Sequence, residues 1–156
     1  MGSLLLYFTD EQAPALRLAE ALGLPAAAIE RHRFPDDELR LRLPLQANSN
    51  HHHSMFGGSL YSAAVLAGWG WLHLRLQEAG IDGGVVIKDA QISYLLPVTD
   101  DAVACCAAPE AAAWDKFVAT YQRRGVARLQ LQSQLLNAGG ETAVRFSGQY
   151  VLQRGT

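Results

Sequence analysis

Residues 59–77 are apolar on nearly every turn. Leu60, Ala63, Leu66, Ala67, Trp71, Leu72 and Leu74 leave no polar face, and Arg75 is the one charged side chain. A helix without a wet side belongs inside a fold. A cation near its end suits the negative pole of its dipole, and Gly80, Gly83 and Gly84 mark the exit.

Downstream the period shortens. Residues 85–96 are rich in β-branched and apolar side chains up to Pro97, and residues 102–107 form a second strand candidate. Residues 109–124 link the strands and read as helical over 111–121. Residues 128–136 and 142–152 alternate apolar and polar positions across Asn137-Ala138-Gly139-Gly140, a hairpin turn. Upstream, Leu39, Leu41 and Leu43 alternate with Arg40 and Arg42, which predicts a half-buried strand. The first residues read as a short strand, then a helix capped by Thr9 or Asp10 and stopped at Gly23 and Pro25. A segment over 28–34 and a turn at Pro35-Asp36-Asp37 follow.

One long buried helix followed by antiparallel strands has few packing solutions, and the economical one wraps the sheet around the helix. This predicts an α+β hot-dog fold over residues 1–156 as a single domain, with residues 1–35 atypical. Such a sheet leaves an open edge and a partly covered helix. Pairing of two copies is the remedy, so a homodimer is expected, and a tetramer of paired dimers stays open.

Composition narrows the class. With 49% hydrophobic and 18% charged residues the chain has material for a core, which argues against disorder. A net charge of −2 lacks the basic excess that nucleic-acid binding needs. No apolar run approaches the ~20 residues of a membrane span, and the apolar start at Leu4 is too short for a signal segment. A cytoplasmic protein is expected. Cys105 and Cys106 are adjacent, so on a strand they face opposite ways, and they read as small buried apolar residues.

The candidate chemistry sits just before the buried helix, in Asn50-His51-His52-His53-Ser54-Met55-Phe56-Gly57-Gly58. Glycines let a ligand approach the backbone. The first amides of a helix lack intrahelical partners and sit at its positive end. Such amides, with the Asn50 side chain as a second donor, suit an oxygen on which negative charge develops. An ordinary helix-start turn is the plain alternative. His53 is a candidate substrate-facing imidazole, and Ser54 a hydrogen-bond donor without an evident activating base. Three consecutive histidines do not converge readily on one ion, so no metal is expected. Lys116, Arg123, Arg124 and Arg128 form a loose basic cluster, suited to a phosphate or an acidic partner.

These residues carry a resemblance. Asn50 to Gly58 is similar to the Asn…His-Gly-Gly signature of hot-dog thioesterases, with Phe56 where many have His. Asn48-Ser49-Asn50, Met55-Phe56-Gly57-Gly58-Ser59-Leu60-Tyr61, Ala67-Gly68-Trp69-Gly70 and Asp89-Ala90-Gln91-Ile92-Ser93-Tyr94-Leu95-Leu96-Pro97-Val98-Thr99 more closely resemble one branch. It occurs alone or fused behind a GNAT acetyltransferase domain in proteobacteria. The resemblance runs from about Asp36 to Leu152. It implies decarboxylation of malonyl-ACP to acetyl-ACP for the start of fatty acid synthesis, with Asn50 as the active-site asparagine. Arg124-Gly125 also resembles the branch. No cofactor is implied beyond the phosphopantetheine of acyl carrier protein or CoA that holds the substrate. Separately, residues 5–43, with Arg31-His32-Arg33-Phe34-Pro35-Asp36-Asp37-Glu38, resemble the opening of ribose-phosphate pyrophosphokinases. That fold needs a longer chain and a phosphoribosyl loop, so its activity is not carried over.

Many hot-dog hydrolases activate water with a carboxylate on the central helix, yet residues 59–77 hold no Asp or Glu, and Glu78 stands at the far end. A malonyl thioester needs no activated water, only a polarised carbonyl. The expected catalytic set is Asn50, Gly57 and Gly58, with His53, Ser54, Phe56, Asp89 and Arg124 toward the substrate. Asp89 is the candidate acid if the reaction is acyl-CoA or acyl-ACP hydrolysis, although a structural role in a turn fits it too. A non-catalytic acyl-carrier binding module is the third reading.

Overall fold

The computed structural model describes residues 5–8, 29–31 and 38–155. Strand β3 (Leu39–Leu43) leads through a loop to helix α1 (Gly57–Glu78), then β4 (Gly84–Tyr94), β5 (Ala102–Cys106), helix α2 (Ala111–Arg124), β6 (Val126–Leu136) and β7 (Thr142–Gln153). The antiparallel order β3-β5-β6-β7-β4 forms the sheet that α1 packs against, touching all five strands. This is the hot-dog arrangement. Two short strands, β1 (Leu5–Phe8) and β2 (Ile29–Arg31), extend it beyond β3, with β1 antiparallel to β3 and parallel to β2. The expected N-terminal helix and the Pro35 turn lie outside the described residues.

Alternation decides which face meets the helix. In β6, Ala127, Leu129, Leu131, Ser133 and Leu135 are buried and the residues between them exposed. Helix α1 buries Leu60, Ala63, Ala64, Ala67, Trp71 and Leu72. It lies close against the sheet at Gly68, where a Cβ would run into the Tyr150 hydroxyl and ring. Tyr150, fully buried, donates that hydroxyl to the Val65 carbonyl at 2.7 Å. Helix α2 runs three residues past the expected Tyr121. It stops at Gly125, whose φ of 74° is the left-handed cap and whose N–H bonds the Tyr121 carbonyl at 2.7 Å. The 137–140 turn closes as expected, with Asn137 N–H on the Glu141 carbonyl at 2.9 Å.

Two features of this topology bear on function. Strand β4 ends the sheet, so one edge of its 11 residues pairs with nothing among the described residues. Large apolar side chains stay exposed at or near its ends: Val86, Tyr94, Leu95 and Leu96, with Phe56 and Tyr61 on the α1 start. No helix of the described residues is long and apolar enough to cross a membrane.

Candidate active site at the start of the buried helix

The loop before α1 folds back on itself. Phe56 N–H bonds the Asn48 carbonyl at 2.7 Å and Asn50 N–H bonds the Ser54 carbonyl at 2.7 Å, so residues 48–56 form a narrow hairpin. Its base is fixed by buried Asn48, whose side-chain amide donates to the Pro44 carbonyl at 2.8 Å. His51, His52 and His53 make the exposed tip, where His53 takes a left-handed φ of 60°. No group of described residues is spaced to hold a metal ion.

Asn50 organises this hairpin from inside. Its Oδ1 accepts from the N–H of His52 at 2.9 Å and of Ser54 at 3.2 Å, an Asx-type turn. Its Nδ2 donates to the Ser54 hydroxyl oxygen at 3.0 Å. Asn50 therefore meets the site through Ser54.

Beyond Ser54 lies a cavity of about 230 Å³ at the N-terminal end of α1. Ser54, Met55, Gly57 and Leu60 line one side, and Tyr94 to Val98 the other. The two walls are tied together: Met55 N–H bonds the Val98 carbonyl at 2.7 Å, and the Tyr94 hydroxyl donates to the Gly57 carbonyl at 2.9 Å. Phe56 caps the helix with an extended backbone (φ −64°, ψ 132°) and no side-chain bond. The N–H groups of Ser59 and Leu60 bond the Phe56 carbonyl, whereas those of Gly57 and Gly58 have no acceptor among the described residues. Two unpartnered amides at a helix start, beside a cavity without carboxylate or imidazole on its walls, form an environment that attracts a partly negative oxygen.

The expected site residues separate into groups. Ser54 and Gly57 line the cavity and Gly58 does not; Asn50 holds Ser54; Phe56, 58% exposed, stands over Gly58. His53 stays on the exposed tip. Asp89 does not line the cavity. It lies in β4, five residues before Tyr94, solvent-exposed beside Lys88 at 3.9 Å. Arg124 lies on α2, beside a different cavity. Glu78, the one carboxylate of α1, is at its C-terminal end and pairs with Arg75 at 3.1 Å. Tyr94 was not singled out for a role. An aromatic residue closing a strand just before Leu95-Leu96-Pro97 was the available signal.

Residues 20–154 match the protein family described as "Putative thioesterase (yiiD_Cterm)". The chain belongs to this family. Among solved structures it is similar to a putative thioesterase from Shewanella oneidensis, with 30% identity over 92% of this chain and 99% of that one, at a TM-score of 0.73. It is also similar to a protein of unknown function from Chlorobaculum tepidum, with 32% identity over 80% of this chain and 81% of that one, at a TM-score of 0.74. A thioesterase from Haemophilus influenzae shares the fold at 16% identity, covering 78% of this chain and 76% of that one, with a TM-score of 0.59.

Proposed function

We propose that this protein acts on an acyl group held as a thioester on the phosphopantetheine of acyl carrier protein, and that it decarboxylates malonyl-ACP to acetyl-ACP. One observation carries the reading: the cavity at the start of α1 is lined by Ser54 and by Gly57, whose N–H, like that of Gly58 next to it in the chain, has no acceptor among the described residues, and no carboxylate stands on its walls. In the reaction the bond between the α-carbon and the carboxylate breaks and carbon dioxide leaves. Its electron pair moves into the thioester as an enolate, and a proton from solvent then restores the α-carbon as a methyl group. The enolate oxygen is where charge develops, and helix-start amides with the Ser54 hydroxyl meet it there. The apolar walls of Met55, Leu60 and Leu96 favour loss of the charged carboxylate as neutral gas. Asn50 is then a positioning residue that aims Ser54.

Hydrolysis is the second reading, favoured by the family's description. It requires water and a base, and Asp89 of a partner subunit is the candidate. Dimerisation through the open β4 edge belongs to both readings, because it buries that edge and brings the two subunits' apolar ends together.

The test is mass spectrometry of malonyl-ACP after incubation with wild type and Asn50→Ala. Decarboxylation removes carbon dioxide and leaves acetyl-ACP. Hydrolysis removes the whole malonyl group and frees the thiol. Unchanged malonyl-ACP that nevertheless binds the protein would leave only a carrier-binding module.

A further inference from the structure

The two amides at the start of α1 that lack an acceptor among the described residues belong to peptide units held in different ways. The Gly57 N–H is part of the Phe56–Gly57 peptide, whose carbonyl takes the N–H groups of Ser59 and Leu60 at 3.0 and 3.1 Å. The helix itself fixes that unit. The Gly58 N–H is part of the Gly57–Gly58 peptide, whose carbonyl receives the Tyr94 hydroxyl at 2.9 Å, a donor from 37 residues further along the chain. With a glycine on each side, this unit has the freest backbone of the helix start.

The hydroxyl is delivered from a rigid place. Tyr94 ends β4 opposite Val144 of β7, and the next two residues, Leu95 and Leu96, both give their N–H to the Ala143 carbonyl, at 2.8 and 3.2 Å. The edge of the Tyr94 ring lies over Gly57, 3.6 Å from a Cβ built there. Tyr94 is nevertheless 52% exposed, so its ring adds little to the core.

We infer that Tyr94 is a positioning residue: its hydroxyl holds and polarises the Gly57–Gly58 peptide so that the Gly58 N–H donates to the enolate oxygen. The inference rests on the function proposed above. A peptide unit is planar and trans, so its N–H and C=O point in opposite directions. A donor that fixes the carbonyl along the helix thus fixes the N–H outward from the helix start. The same donor draws electron density toward the carbonyl oxygen and leaves the N–H more positive, as in any chain of hydrogen bonds. The gain is larger for the enolate than for the neutral thioester, because the interaction grows with charge on the acceptor. No bond to Tyr94 forms or breaks, and its proton stays on the phenol.

The test is Tyr94→Phe, which keeps the ring over Gly57 and removes only the half-exposed hydroxyl, so the melting temperature should stay close to wild type. One oxyanion donor is worth roughly 10²–10³ in kcat, and a neighbouring bond strengthens such a donor by roughly 10–30%. The kcat on malonyl-ACP should therefore fall about fivefold, with KM within about twofold of wild type. In the free protein the Gly58 amide proton should move upfield in a proton–nitrogen NMR spectrum, while the Gly57 amide stays in place. An unchanged kcat, or a loss carried by KM, overturns the inference, and so does a Gly58 resonance that does not move. If wild type frees the thiol instead, decarboxylation fails, and the same split between kcat and KM is read on hydrolysis, whose oxyanion meets the same N–H. If wild type leaves malonyl-ACP unchanged, the proposed function fails and the Gly58 resonance alone decides whether Tyr94 polarises that peptide.

Discussion

The side-chain amide of Asn50 donates to the hydroxyl oxygen of Ser54 at 3.0 Å, while the Asn50 carbonyl oxygen takes the backbone N–H groups of His52 and Ser54. One residue thus shapes the hairpin and aims its one cavity-facing hydroxyl. The Ser54 hydroxyl also lies in donor range of the Asn50 Oδ1, at 3.3 Å, so Oδ1 serves both jobs and only the Nδ2 donor can be removed separately. Asn50→Asp keeps the acceptor and loses the donor. It should retain wild-type stability yet lose roughly 100-fold in kcat on malonyl-ACP, the scale of one oxyanion donor. Asn50→Ala loses both and should also cost about 1–2 kcal/mol in urea unfolding. Because Asn50 works through Ser54, Asn50→Asp combined with Ser54→Ala should be no slower than either alone. Additive losses would mean that Asn50 touches substrate itself.

Gly68 lets the buried helix lie against Tyr150. A methyl group there would meet the Tyr150 hydroxyl and ring, and Tyr150 is held by its bond to the Val65 carbonyl. Alanine is the better helix former by about 1 kcal/mol, but overpacking of a fixed ring costs about 1–3 kcal/mol. Gly68→Ala should therefore be destabilised on balance by up to about 2 kcal/mol in a urea titration. In a Tyr150→Phe background the penalty should shrink, since the nearest obstructing atom is gone. An undiminished penalty there would point to a different clash.

Much of the fold was legible because burial and period agree. Helix α1 is apolar nearly all round, β6 alternates cleanly, and β7 alternates through its middle, across a glycine turn. The loop chemistry was legible in part: the unpartnered amides follow from two glycines at a helix start. What sequence spacing does not carry is the third dimension of short polar contacts. Asn50 was expected to donate toward a substrate carbonyl, but its nearest polar neighbours are those of its own hairpin, four residues away. Asp89 and Arg124 are expected at this site, but the register of β4 puts Asp89 along the sheet and α2 carries Arg124 to a different cavity. The role of Tyr94 depends on a contact 37 residues distant in sequence, which no local pattern encodes.

Asp101 ties the end of β3 to the loop that leads to Asn50. Its carboxylate accepts the Leu45 N–H at 2.8 Å and the Arg42 guanidinium at 2.7 Å, and these bonds hold its pKa below the ordinary carboxylate value, the backbone bond contributing most. The sign follows from linkage. A carboxylate whose folded pKa is depressed stabilises the fold above its unfolded value, about 3.9, and that contribution is lost as pH falls through the folded pKa. The urea midpoint of wild type should drop from pH 6 to pH 3 by more than that of Asp101→Asn. Parallel acid profiles for the two proteins would remove Asp101 from the account.

Cys105 and Cys106 are both free and buried, and burial pushes each thiol up to about 12. The neutral thiol is the folded form. Its contribution is fully present below the ordinary thiol pKa and is lost as pH rises toward the folded value. Thiolate is the reactive species, so iodoacetamide at pH 8.5 should leave the native protein unlabelled and add two groups once urea unfolds it. Native labelling at either position would show that the strand opens locally.

The sharpest test of the helix-start amides removes one without disturbing the fold. Gly57 is the first residue of α1, the position at which proline is best tolerated, because its N–H has no intrahelical partner and its φ is already helical. The residue before a proline must be extended, and Phe56 already is, with φ −64° and ψ 132°. The nearest side chain, the Tyr94 ring, lies 3.6 Å from a Cβ built on Gly57, an ordinary contact. Gly57→Pro should thus fold with a melting temperature close to wild type while lacking one N–H at the cavity. If that N–H meets the developing enolate oxygen, kcat on malonyl-ACP should fall by roughly 10²–10³, with KM little changed because the interaction strengthens as charge develops. A variant that folds and keeps full kcat would rule out the Gly57 amide and leave Gly58 and Ser54 to polarise the carbonyl.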